Sequence, residues 1–521
     1  MSVCVRFVRP LLDARQTHTA LLAAATRRFC SDHSVKQRDE IMKMDCVELR
    51  EKMKSESNPN FVMKGYKYRY SKFVEIEPWR ARKHLPEAVS DDHMRNIVPE
   101  AVDIVVIGGG IIGSSIAYFL KQRAPEGFSL CVVEKDPEYT HAATSLSLGG
   151  MRQQFSLYEN IRMSTFSADF FRNYRHYLSV LDYEPPDIEF QPQGYLFLGN
   201  ERNSEDLLMH HQLQTELGVF AEVYNAQELN TRFPWLNTED IIIGAYGLQN
   251  EGWFNPRNLL IALKGKAEFL GTHYVAGELV DFNVRQPLPS LGKLDEVDQP
   301  LEECNHLIVK TAKGELKQIQ FAIAVIAAGA WSQEMAEMLR IGETDGYRSV
   351  PLPIEPRKRY VYAFNCIDGP GINFPYLVDP SGVFCRRDGL GGNYLAGKSP
   401  SEDEEPDSSN LEVDYSYFDK AIQPVLTRRV KGFEKPKIVG AWAGYYDYNT
   451  FDQSPVIGAH PYYNNIYWAT GFGGNGVQMA PAVGRAIMEL ILDHEYVSLD
   501  LTRFGWKRLF INEEVRESLI L

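Results

Sequence analysis

The stretch that decides the fold is Val102-Asp103-Ile104-Val105-Val106-Ile107-Gly108-Gly109-Gly110-Ile111-Ile112-Gly113. Its first half is apolar and rich in β-branched residues, which favours one buried parallel strand. In the G-x-G-x-x-G pattern that follows, Gly108 makes the tight turn, Gly110 lets the backbone approach a pyrophosphate, and Gly113 lets helix and strand pack closely. The N-terminus of the helix then offers free N–H groups and a partial positive charge to the phosphates.

A second strand and an acidic residue complete this unit. Leu130-Cys131-Val132-Val133 ends in Glu134, 21 positions after Gly113, where a carboxylate meets the ribose hydroxyls of a dinucleotide. Lys135 follows, and an acid at this point favours a ribose without a 2′-phosphate. A glycine-rich turn in an unrelated α/β protein is the alternative, but it does not explain strand, helix, strand and acid together. The unit by itself does not separate FAD from NAD.

The composition is that of a large soluble globular protein. A length of 521 residues predicts two packed units plus appendages. The hydrophobic share is 44% and the charged share 24%, and the net charge of -14 argues against a nucleic-acid partner, which needs a basic face. The seven cysteines are scattered without a Cys-x-x-Cys pair, so no zinc site, other metal site or disulfide framework is predicted.

The first thirty residues are rich in arginine and poor in acids, since Asp13 is the only acid before Asp32. This composition is typical of a mitochondrial presequence, and Arg28-Phe29-Cys30-Ser31 resembles a matrix-protease cleavage site. A disordered basic tail is the alternative. We therefore expect a mitochondrial protein on the matrix side of the inner membrane. Its membrane association is expected to be peripheral at most, because no apolar run reaches the ~18 residues of a membrane span.

Periodicity predicts further elements along the chain. Helices are predicted over Ile161–Tyr177 and Pro481–Leu492, the second with Gly484 packed close to the cofactor end. Ser401–Asn410 is predicted to be a solvated loop. Strands are predicted at Tyr195–Leu198, Ile241–Tyr246, Ile308–Lys310, Ile323–Ala327, Tyr360–Phe364 and Ile466–Ala469.

Three further regions carry small-residue and glycine-rich sequences. The first is the loop Thr144–Arg152, which begins ten residues after Glu134, and the second is the turn Ala327–Ser332 at the end of a strand. The third runs from Trp442-Ala443-Gly444-Tyr445-Tyr446 through Asp452–Gly458 to Ala469–Pro481.

Together these regions resemble the family of D-amino-acid oxidase, sarcosine oxidase and dimethylglycine dehydrogenase, over roughly residues 101–495. That family's pattern is W-x-G-x…D-x-x-P-x-I-G followed by G-F-S-G-H-G-x-x-x-A-P. The resemblance selects FAD rather than NAD. Three strings look closer still to one member of the family, a mitochondrial assembly factor for respiratory complex I, and they are EPRKRYVY (355–362), NEGWFNP (250–256) and AWAGYYDYNTFDQSPVIG (441–458).

The resemblance implies an α/β fold in which a Rossmann-like FAD-binding domain is interleaved with an antiparallel-sheet substrate domain, as in D-amino-acid oxidase. The FAD-binding domain is predicted from segments 101–185, 246–345 and 440–495, and the substrate or cap domain from 186–245 and 346–439. Residues 1–30 are the predicted presequence, 31–100 a polar extension and 496–521 a C-terminal tail.

The resemblance also implies a set of FAD contacts. Val275 is expected near the adenine, and Gly473 to Gln478 near the isoalloxazine ring, where backbone amides stabilise negative charge on the reduced flavin. The full predicted set is Gly108, Gly110, Ile111, Ile112, Gly113, Glu134, Lys135, Ser145, Gly150, Met151, Val275, Ala328, Gly329, Trp331, Gly473, Gly474, Asn475, Gly476 and Gln478.

The residues that clamp a substrate carboxylate in this family differ here. D-amino-acid and glycine oxidases carry an arginine at the position of Tyr446, and sarcosine oxidases a lysine at the position of Gln478. Sarcosine oxidases also carry a second arginine where Phe155 stands. The candidate catalytic residues are therefore Arg152, Tyr446 and Gln478, with Arg152 the strongest because its loop is expected beside the flavin. An anchor to phosphate or backbone is the alternative role of Arg152.

Covalent attachment of the flavin is not expected. The attachment cysteine of monomeric sarcosine oxidase falls at about Tyr445, and the histidine of dimethylglycine dehydrogenase at about Ser147. His141 lies nearby in sequence but is displaced, and a surface histidine is the simpler interpretation. FAD is therefore expected to be held noncovalently.

Other cations and aromatic residues remain that can touch a ligand. Arg359 and Arg386 are such cations, and the tyrosines are Tyr360, Tyr362, Tyr394, Tyr445, Tyr446 and Tyr448. An aromatic group can surround a cationic amine, and ordinary core packing is the alternative. Arg357-Lys358-Arg359 can equally be a solvated entrance to a strand.

Two functions from different classes follow. One is an assembly factor stabilised by FAD, with subunits or assembly intermediates of complex I as partners. The other is an active flavoenzyme that oxidises a small secondary amine such as a sarcosine-like substrate. The presequence, the three strings and the altered clamp favour the first, and the intact cofactor motifs favour the second.

Overall fold

The computed structural model describes residues 97–285, 303–343 and 346–519. The predicted presequence and nearly all of the predicted polar extension lie outside the described residues. The domain boundaries drawn from the sequence stay a prediction.

The strands fall into three sheets. In chain order they are β1 Ala101–Ile107, β2 Leu130–Glu134, β3 Gly150–Met151, β4 Tyr195–Gly199, β5 Ala221–Asn225, β6 Ile243–Gly247, β7 Gly252–Trp253, β8 Thr272–Arg285, β9 Glu303–Thr311, β10 Leu316–Ile326, β11 Ile354–Asn365, β12 Tyr376–Val378, β13 Val383–Asp388, β14 Asn393–Lys398, β15 Lys437–Asn449, β16 Val456–Ala459 and β17 Ile466–Thr470.

The helices connect and flank these strands. They are α1 Ile111–Arg123, α2 Ala143–Leu146, α3 Tyr158–Leu178, α4 Ser204–Glu216, α5 Ala226–Arg232, α6 Pro256–Phe269, α7 Ser332–Met338, α8 Tyr415–Tyr417, α9 Gln423–Arg429, α10 Gly476–Leu492 and α11 Lys507–Ile511. A π-helical turn, Phe418–Ile422, joins α8 to α9, and 3₁₀ turns occur at Gly329–Trp331, Gly346–Arg348, Glu402–Glu404 and Thr502–Phe504.

The first sheet is the dinucleotide-binding sheet. Within the described residues it has seven strands, of which β8, β2, β1, β10 and β17 lie parallel in that order. β16 adds an antiparallel edge beside β17, and β9 pairs antiparallel with the outer parts of both β8 and β10. The carboxyl ends of β1, β2 and β10 therefore meet at one edge, which is where open α/β sheets bind ligands.

The turn from β1 into α1 is held by two glycines. Gly108 has φ +94, and a Cβ on it would lie 2.4 Å from the carbonyl oxygen of Ala327. A Cβ on Gly113 would lie 1.9 Å from the carbonyl oxygen of Gly108. No side chain fits at either position, so α1 begins directly against the end of β1.

α1 is covered by α10 at the same end of the sheet. The hydroxyl of Ser115 donates to the carbonyl of Ala480 at 2.8 Å, and a Cβ on Gly484 would lie 2.3 Å from that hydroxyl oxygen. The predicted close packing of Gly484 is confirmed.

The second sheet has eight strands in the described part of the chain, in the order β15-β11-β14-β13-β12-β4-β6-β5. All neighbours are antiparallel except β12 and β4, which are parallel. Alternating residues of β4 separate two apolar clusters, with Leu196 and Leu198 in one and Tyr195 and Phe197 in the other. Both faces of this sheet are therefore buried at β4. The α/β fold predicted from the sequence is confirmed.

Most predicted elements are present, with longer bounds than predicted. The helix predicted over Ile161–Tyr177 runs from Tyr158 to Leu178, and the last predicted helix begins five residues earlier, at Gly476. The solvated loop predicted at Ser401–Asn410 is wrong in one respect. Most of it is exposed, but Glu405 turns inward and its side chain is only 15% exposed.

None of the helices in the described part of the chain is both long and apolar enough to cross a membrane. Among the described residues, no group of three or more His, Cys, Asp or Glu side chains is arranged to hold a metal ion.

Candidate functional site

One cavity joins the glycine-rich turn to the face of the second sheet. It has a volume of about 330 Å³. One end is lined by Gly108, Gly110 and Glu134 and the other by Tyr446 and Arg359. The cavity therefore lies at the carboxyl end of the parallel strands and continues along β11 and β15.

The first end of the cavity is the N-terminus of α1. Gly110 precedes this helix with φ -60, and a Cβ placed on it would meet only the Thr144 hydroxyl oxygen, at 3.7 Å. Thr144 accepts a hydrogen bond from the N–H of Ile111 at 3.2 Å. The N–H groups of Ile112 and Gly113 have no acceptor earlier in the helix, as at any helix start. Open space therefore lies above free helix N–H groups, which is an anion-binding arrangement.

Glu134 lies beside this turn at the end of β2. The N–H of Gly109 donates to its Oε2 at 2.7 Å and the N–H of Asp136 to its Oε1 at 2.7 Å. Burial raises the pKa of Glu134, and the two backbone N–H groups oppose that rise. A carboxylate has about four acceptor positions, so these two bonds leave capacity for ribose hydroxyls.

The glycine-rich loop before α10 is held by Asp447. Its Oδ2 accepts the N–H groups of Gly471 at 2.8 Å and Phe472 at 3.0 Å, and its carbonyl accepts the N–H of Gly473 at 3.2 Å. Burial raises the pKa of this carboxyl, and the backbone bonds oppose that rise. A Cβ on Gly474 would lie 2.5 Å from the Tyr446 ring, so this loop packs directly on that ring.

Arg152 lines the cavity but its guanidinium is already engaged. Its Nη1 donates to the carbonyl of Gln154 at 3.0 Å and its Nη2 to the carbonyl of Leu519 at 2.7 Å. The guanidinium carbon lies 4.1 Å from the centroid of the Phe155 ring. Burial lowers the pKa of Arg152. Its bonds to backbone carbonyls match the anchoring role that the sequence left as the alternative.

Gln478 joins two parts of the site. Its Oε1 accepts the backbone N–H of Arg152 at 2.8 Å, and its Nε2 donates to Asn475 Oδ1 at 3.2 Å. The side chain is 2% exposed. Gln478 thus fixes the loop of Arg152 to the start of α10.

Tyr446 and Arg359 form the far wall. Arg359 pairs directly with Gly444 across β11 and β15, so its side chain lies on the same face as that of Tyr446. The guanidinium carbon lies 5.5 Å from the centroid of the Tyr446 ring. The Nη1 and Nη2 atoms of Arg359 each donate to one oxygen of Glu405 at 2.8 Å.

Most of the predicted site residues line this one cavity. Those that do are Arg152, Tyr446, Gln478, Gly108, Gly110, Ile111, Ile112, Glu134, Lys135, Gly150, Ala328, Gly329, Trp331, Gly473, Gly474, Asn475 and Gly476.

Four predicted residues do not line the cavity. Gly113 lies beneath the turn against Gly108. Met151 is fully buried in β3, and Val275 is buried in β8 beside Val133, so the cavity passes instead along Gly277 to Leu279. The Ser145 hydroxyl is buried and has no hydrogen-bond partner within the described residues.

The aromatic group predicted from the sequence divides into two sets. Tyr360, Tyr445 and Tyr446 line the cavity, whereas Tyr362 and Tyr394 lie in the core and donate to backbone carbonyls. For these two, the core-packing alternative holds.

Other predicted positions take ordinary structural roles. Tyr448 contacts the guanidinium of Arg357 at 5.0 Å from the ring centroid. Arg386 donates from its Nε to the carbonyl of Leu148 at 2.9 Å and lies outside the cavity lining. His141 is at the surface with 78% of its side chain exposed.

Sequence reasoning missed three parts of the site. Asp447 directly follows the tyrosines of the W-x-G motif, which was a usable signal for its role. The rings of Tyr195 and Tyr376 line the cavity and stack with centroids 4.2 Å apart, but only the folded sheet brings them together. Glu251 does not line the cavity, but it is fully buried and accepts the N–H of Gln153, next to Arg152, at 2.7 Å.

The cavity fits a dinucleotide with an uncharged ring system at one end. The free helix N–H groups and the open space at Gly110 suit a pyrophosphate, and Glu134 suits the ribose. The loop from Gly473 to Gly476 presents backbone rather than side chains to the far end.

Comparison with known families identifies this arrangement. The model of the family described as FAD dependent oxidoreductase matches residues 103–490. A protein of Xenopus laevis named FAD-dependent oxidoreductase domain-containing protein 1 is 44% identical over 431 residues, which are 82% of this chain and 86% of that protein. The monomeric sarcosine oxidase of a Bacillus species (strain NS-129) is 22% identical over 78% of this chain and 98% of its own.

A solved structure agrees in fold. The L-proline dehydrogenase of P. horikoshii superposes with a TM-score of 0.66 at 26% identity, covering 80% of this chain and all of that one. The resemblance predicted from the sequence is confirmed, and the cofactor is FAD.

We expect Gly110→Val to fold normally but to lose FAD. The valine has room in the protein, but it fills the space that the pyrophosphate needs. The FAD affinity is expected to fall by roughly tenfold or more, since losing a charge-assisted hydrogen bond costs about 1.4 kcal/mol or more. The measurement is flavin absorbance per protein after purification, with thermal unfolding as the check on folding. Gly371→Val, at an exposed position with nothing within 4 Å, is the matched control. Full flavin content in Gly110→Val would contradict the assignment.

A pH dependence is expected from Glu251. Burial raises the pKa of this carboxyl from 4.5 to about 7. Between these values the folded state binds the proton more tightly than the unfolded state, so the free energy of unfolding falls as pH rises. The total fall is on the order of 3 kcal/mol, and it levels off above pH 7.

Urea unfolding of the wild type and of Glu251→Gln across this pH range measures the effect. The variant is expected to lack this part of the slope, whereas Glu239→Gln at an exposed position keeps it. Equal slopes in the wild type and Glu251→Gln would show that Glu251 titrates normally.

Proposed function

Since the chain belongs to the FAD dependent oxidoreductase family, we propose that it holds FAD noncovalently, that it oxidises a small secondary amine, and that it serves the assembly of respiratory complex I in mitochondria. The amine chemistry is argued from the site. The role in complex I is argued from the sequence.

The observation that carries the proposed chemistry is that the cofactor end and the aromatic wall share one cavity. Gly110 and Tyr446 line the same cavity. A ligand beside Tyr445 and Tyr446 would therefore lie next to the ring end of the cofactor.

FAD supplies a two-electron acceptor for the hydride of a C–H bond next to an amine nitrogen. The residues of the chain would orient and shield the reactants. Tyr446 lines the far end of the cavity, and an aromatic ring attracts a cationic amine. Asp447 accepts the N–H of Gly473, and the neighbouring Gly474 and Gly476 would present their N–H dipoles where negative charge develops.

Noncovalent binding of FAD is proposed from the chemistry of the nearby side chains. Tyr445 and Ser147 line the cavity at the positions where relatives carry attachment residues, and neither is a cysteine or histidine. Acid precipitation of the protein would then leave the flavin in solution.

The proposed role in complex I rests on the three strings that resemble a complex I assembly factor. Two of them supply residues of the cavity wall, namely Arg359 from EPRKRYVY and Tyr446 from AWAGYYDYNTFDQSPVIG. The proposed location in the mitochondrial matrix, with at most peripheral attachment to the inner membrane, rests on the arginine-rich residues 1–30. The proposed partners are subunits or assembly intermediates of complex I.

Anaerobic mixing tests the proposed chemistry. The FAD-loaded protein is combined with sarcosine, dimethylglycine, proline and D-alanine, and with the amide of each. We expect at least one of these amines to bleach the flavin absorbance, because hydride transfer reduces the ring. The Gly110→Val protein reconstituted with the same concentration of FAD is the control. A flavin that stays oxidised with every amine, yet is reduced by dithionite, would contradict the proposal.

Cells that lack the protein test the proposed role. We expect the wild-type chain to be imported with loss of roughly thirty residues and to restore assembled complex I on native gels. Gly110→Val is expected to restore less, because FAD binding stabilises the fold, whereas Gly371→Val is expected to match the wild type. Complex I that is fully assembled without the protein would exclude the role.

A further inference from the structure

The wall opposite the cofactor end carries the guanidinium of Arg359. Arg359 is on β11, and Gly444 opposite it on β15 has no side chain. The guanidinium therefore lies over the ring of Tyr446, its carbon 5.5 Å from the ring centroid. Arg359 is 9% exposed and lines the cavity. A cation thus stands next to the position from which the clamp arginine is missing.

The Arg359 guanidinium is already paired with a carboxylate of the same chain. The two terminal nitrogens of Arg359 each donate to a different oxygen of Glu405 at 2.8 Å. This parallel geometry is the one by which arginine recognises a free carboxylate. A second guanidinium nitrogen, Nη1 of Arg357, lies 3.8 Å from Glu405 Oε1.

The pair is sheltered from water. The Arg359 side chain is 10% exposed and that of Glu405 is 15% exposed. Removing one partner of such a pair leaves the other charge uncompensated in a poorly hydrated place. A ligand carboxylate that binds Arg359 would have to displace Glu405. The displaced Glu405 carboxylate would then be an uncompensated charge with little access to water, so the exchange is unfavourable.

The loop that brings Glu405 inward is also anchored at other points. The hydroxyl of Tyr445 donates to the carbonyl of Ser408 at 2.9 Å, and Lys358 Nζ donates to Asn410 Oδ1 at 3.4 Å. Glu402, Asp403 and Glu404 on the same loop are exposed. Glu405 is therefore the acid of this run that the fold directs to the cavity wall.

We propose that Glu405 determines specificity by occupying Arg359, so that the site excludes amines that carry a carboxylate beside the reacting carbon and accepts amines that lack one. This inference rests on the proposed amine oxidation and narrows its substrate class. Because Glu405 pairs with both terminal nitrogens of Arg359, this guanidinium is not available to a ligand anion. An aromatic ring remains available to the ammonium group. No covalent step is involved.

Calorimetric titration of the FAD-loaded protein with acetate tests the exclusion directly. Acetate is the probe because it is a carboxylate without an amine, and acetamide is its uncharged counterpart. We expect Glu405→Gln to bind acetate at least roughly tenfold more tightly than the wild type, because the Arg359 guanidinium becomes available to the acetate carboxylate. Acetamide is expected to show no such gain.

Two variants control for changes other than the freed guanidinium. Glu402→Gln removes an exposed acid of the same loop and is expected to leave acetate binding at the wild-type level. The double variant Arg359→Gln/Glu405→Gln removes both charges of the pair, and its acetate affinity is expected to return to the wild-type level. Thermal unfolding of each variant establishes that it is folded. A folded Glu405→Gln protein with no gain in acetate affinity would overturn the proposal.

Flavin reduction adds a second readout on substrates. Sarcosine and sarcosinamide differ in the carboxylate alone, so the wild type is expected to prefer sarcosinamide, and Glu405→Gln is expected to shift the preference toward sarcosine. A wild type that favours sarcosine would also overturn the proposal. If no amine reduces the flavin, the proposed oxidation fails, whereas acetate binding still decides the role of Glu405.

Discussion

The site depends on one close contact, in which α1 begins directly against the end of β1. The carbonyl of Gly108 occupies the place where a side chain of residue 113 would be, so only glycine allows the approach. This contact aims the free N–H groups of the helix into the space above Gly110. A side chain at either glycine would move the helix away from the strand, and the positive end of the helix would move with it.

Hydrogen bonds between residues far apart in the sequence hold the rest of the cavity lining in place. Gln478 joins the loop of Arg152 to α10, and Asp447 holds the glycine-rich loop against Tyr446. The sequence suggested Arg152 for substrate binding, but its guanidinium donates hydrogen bonds to backbone carbonyls. The Arg359–Glu405 ion pair lies at the far wall, where each charge compensates the other.

The cofactor half could be predicted because its signals are local. The spacing of Gly108, Gly110 and Gly113 and the acid at Glu134 are set by the geometry of one βαβ unit. The ligand half could not be predicted to the same depth. Glu405 is 46 positions from Arg359, in a run of acids that reads as solvated, and only the pairing of β11 with β15 brings the wall together. Gln478 lines the cavity, but its bond to the backbone of Arg152 spans 326 positions of the chain, which no sequence pattern indicates.

The structure of the purified FAD-loaded protein, determined by crystallography, tests the central claim most directly. The account predicts pyrophosphate oxygens within about 2.7–3.2 Å of the N–H groups at the start of α1, with Glu134 at the ribose. It also predicts the isoalloxazine ring in the far end of the cavity, beside Gly473 and Tyr446. A cofactor bound elsewhere, or a pyrophosphate away from Gly110, would contradict the account.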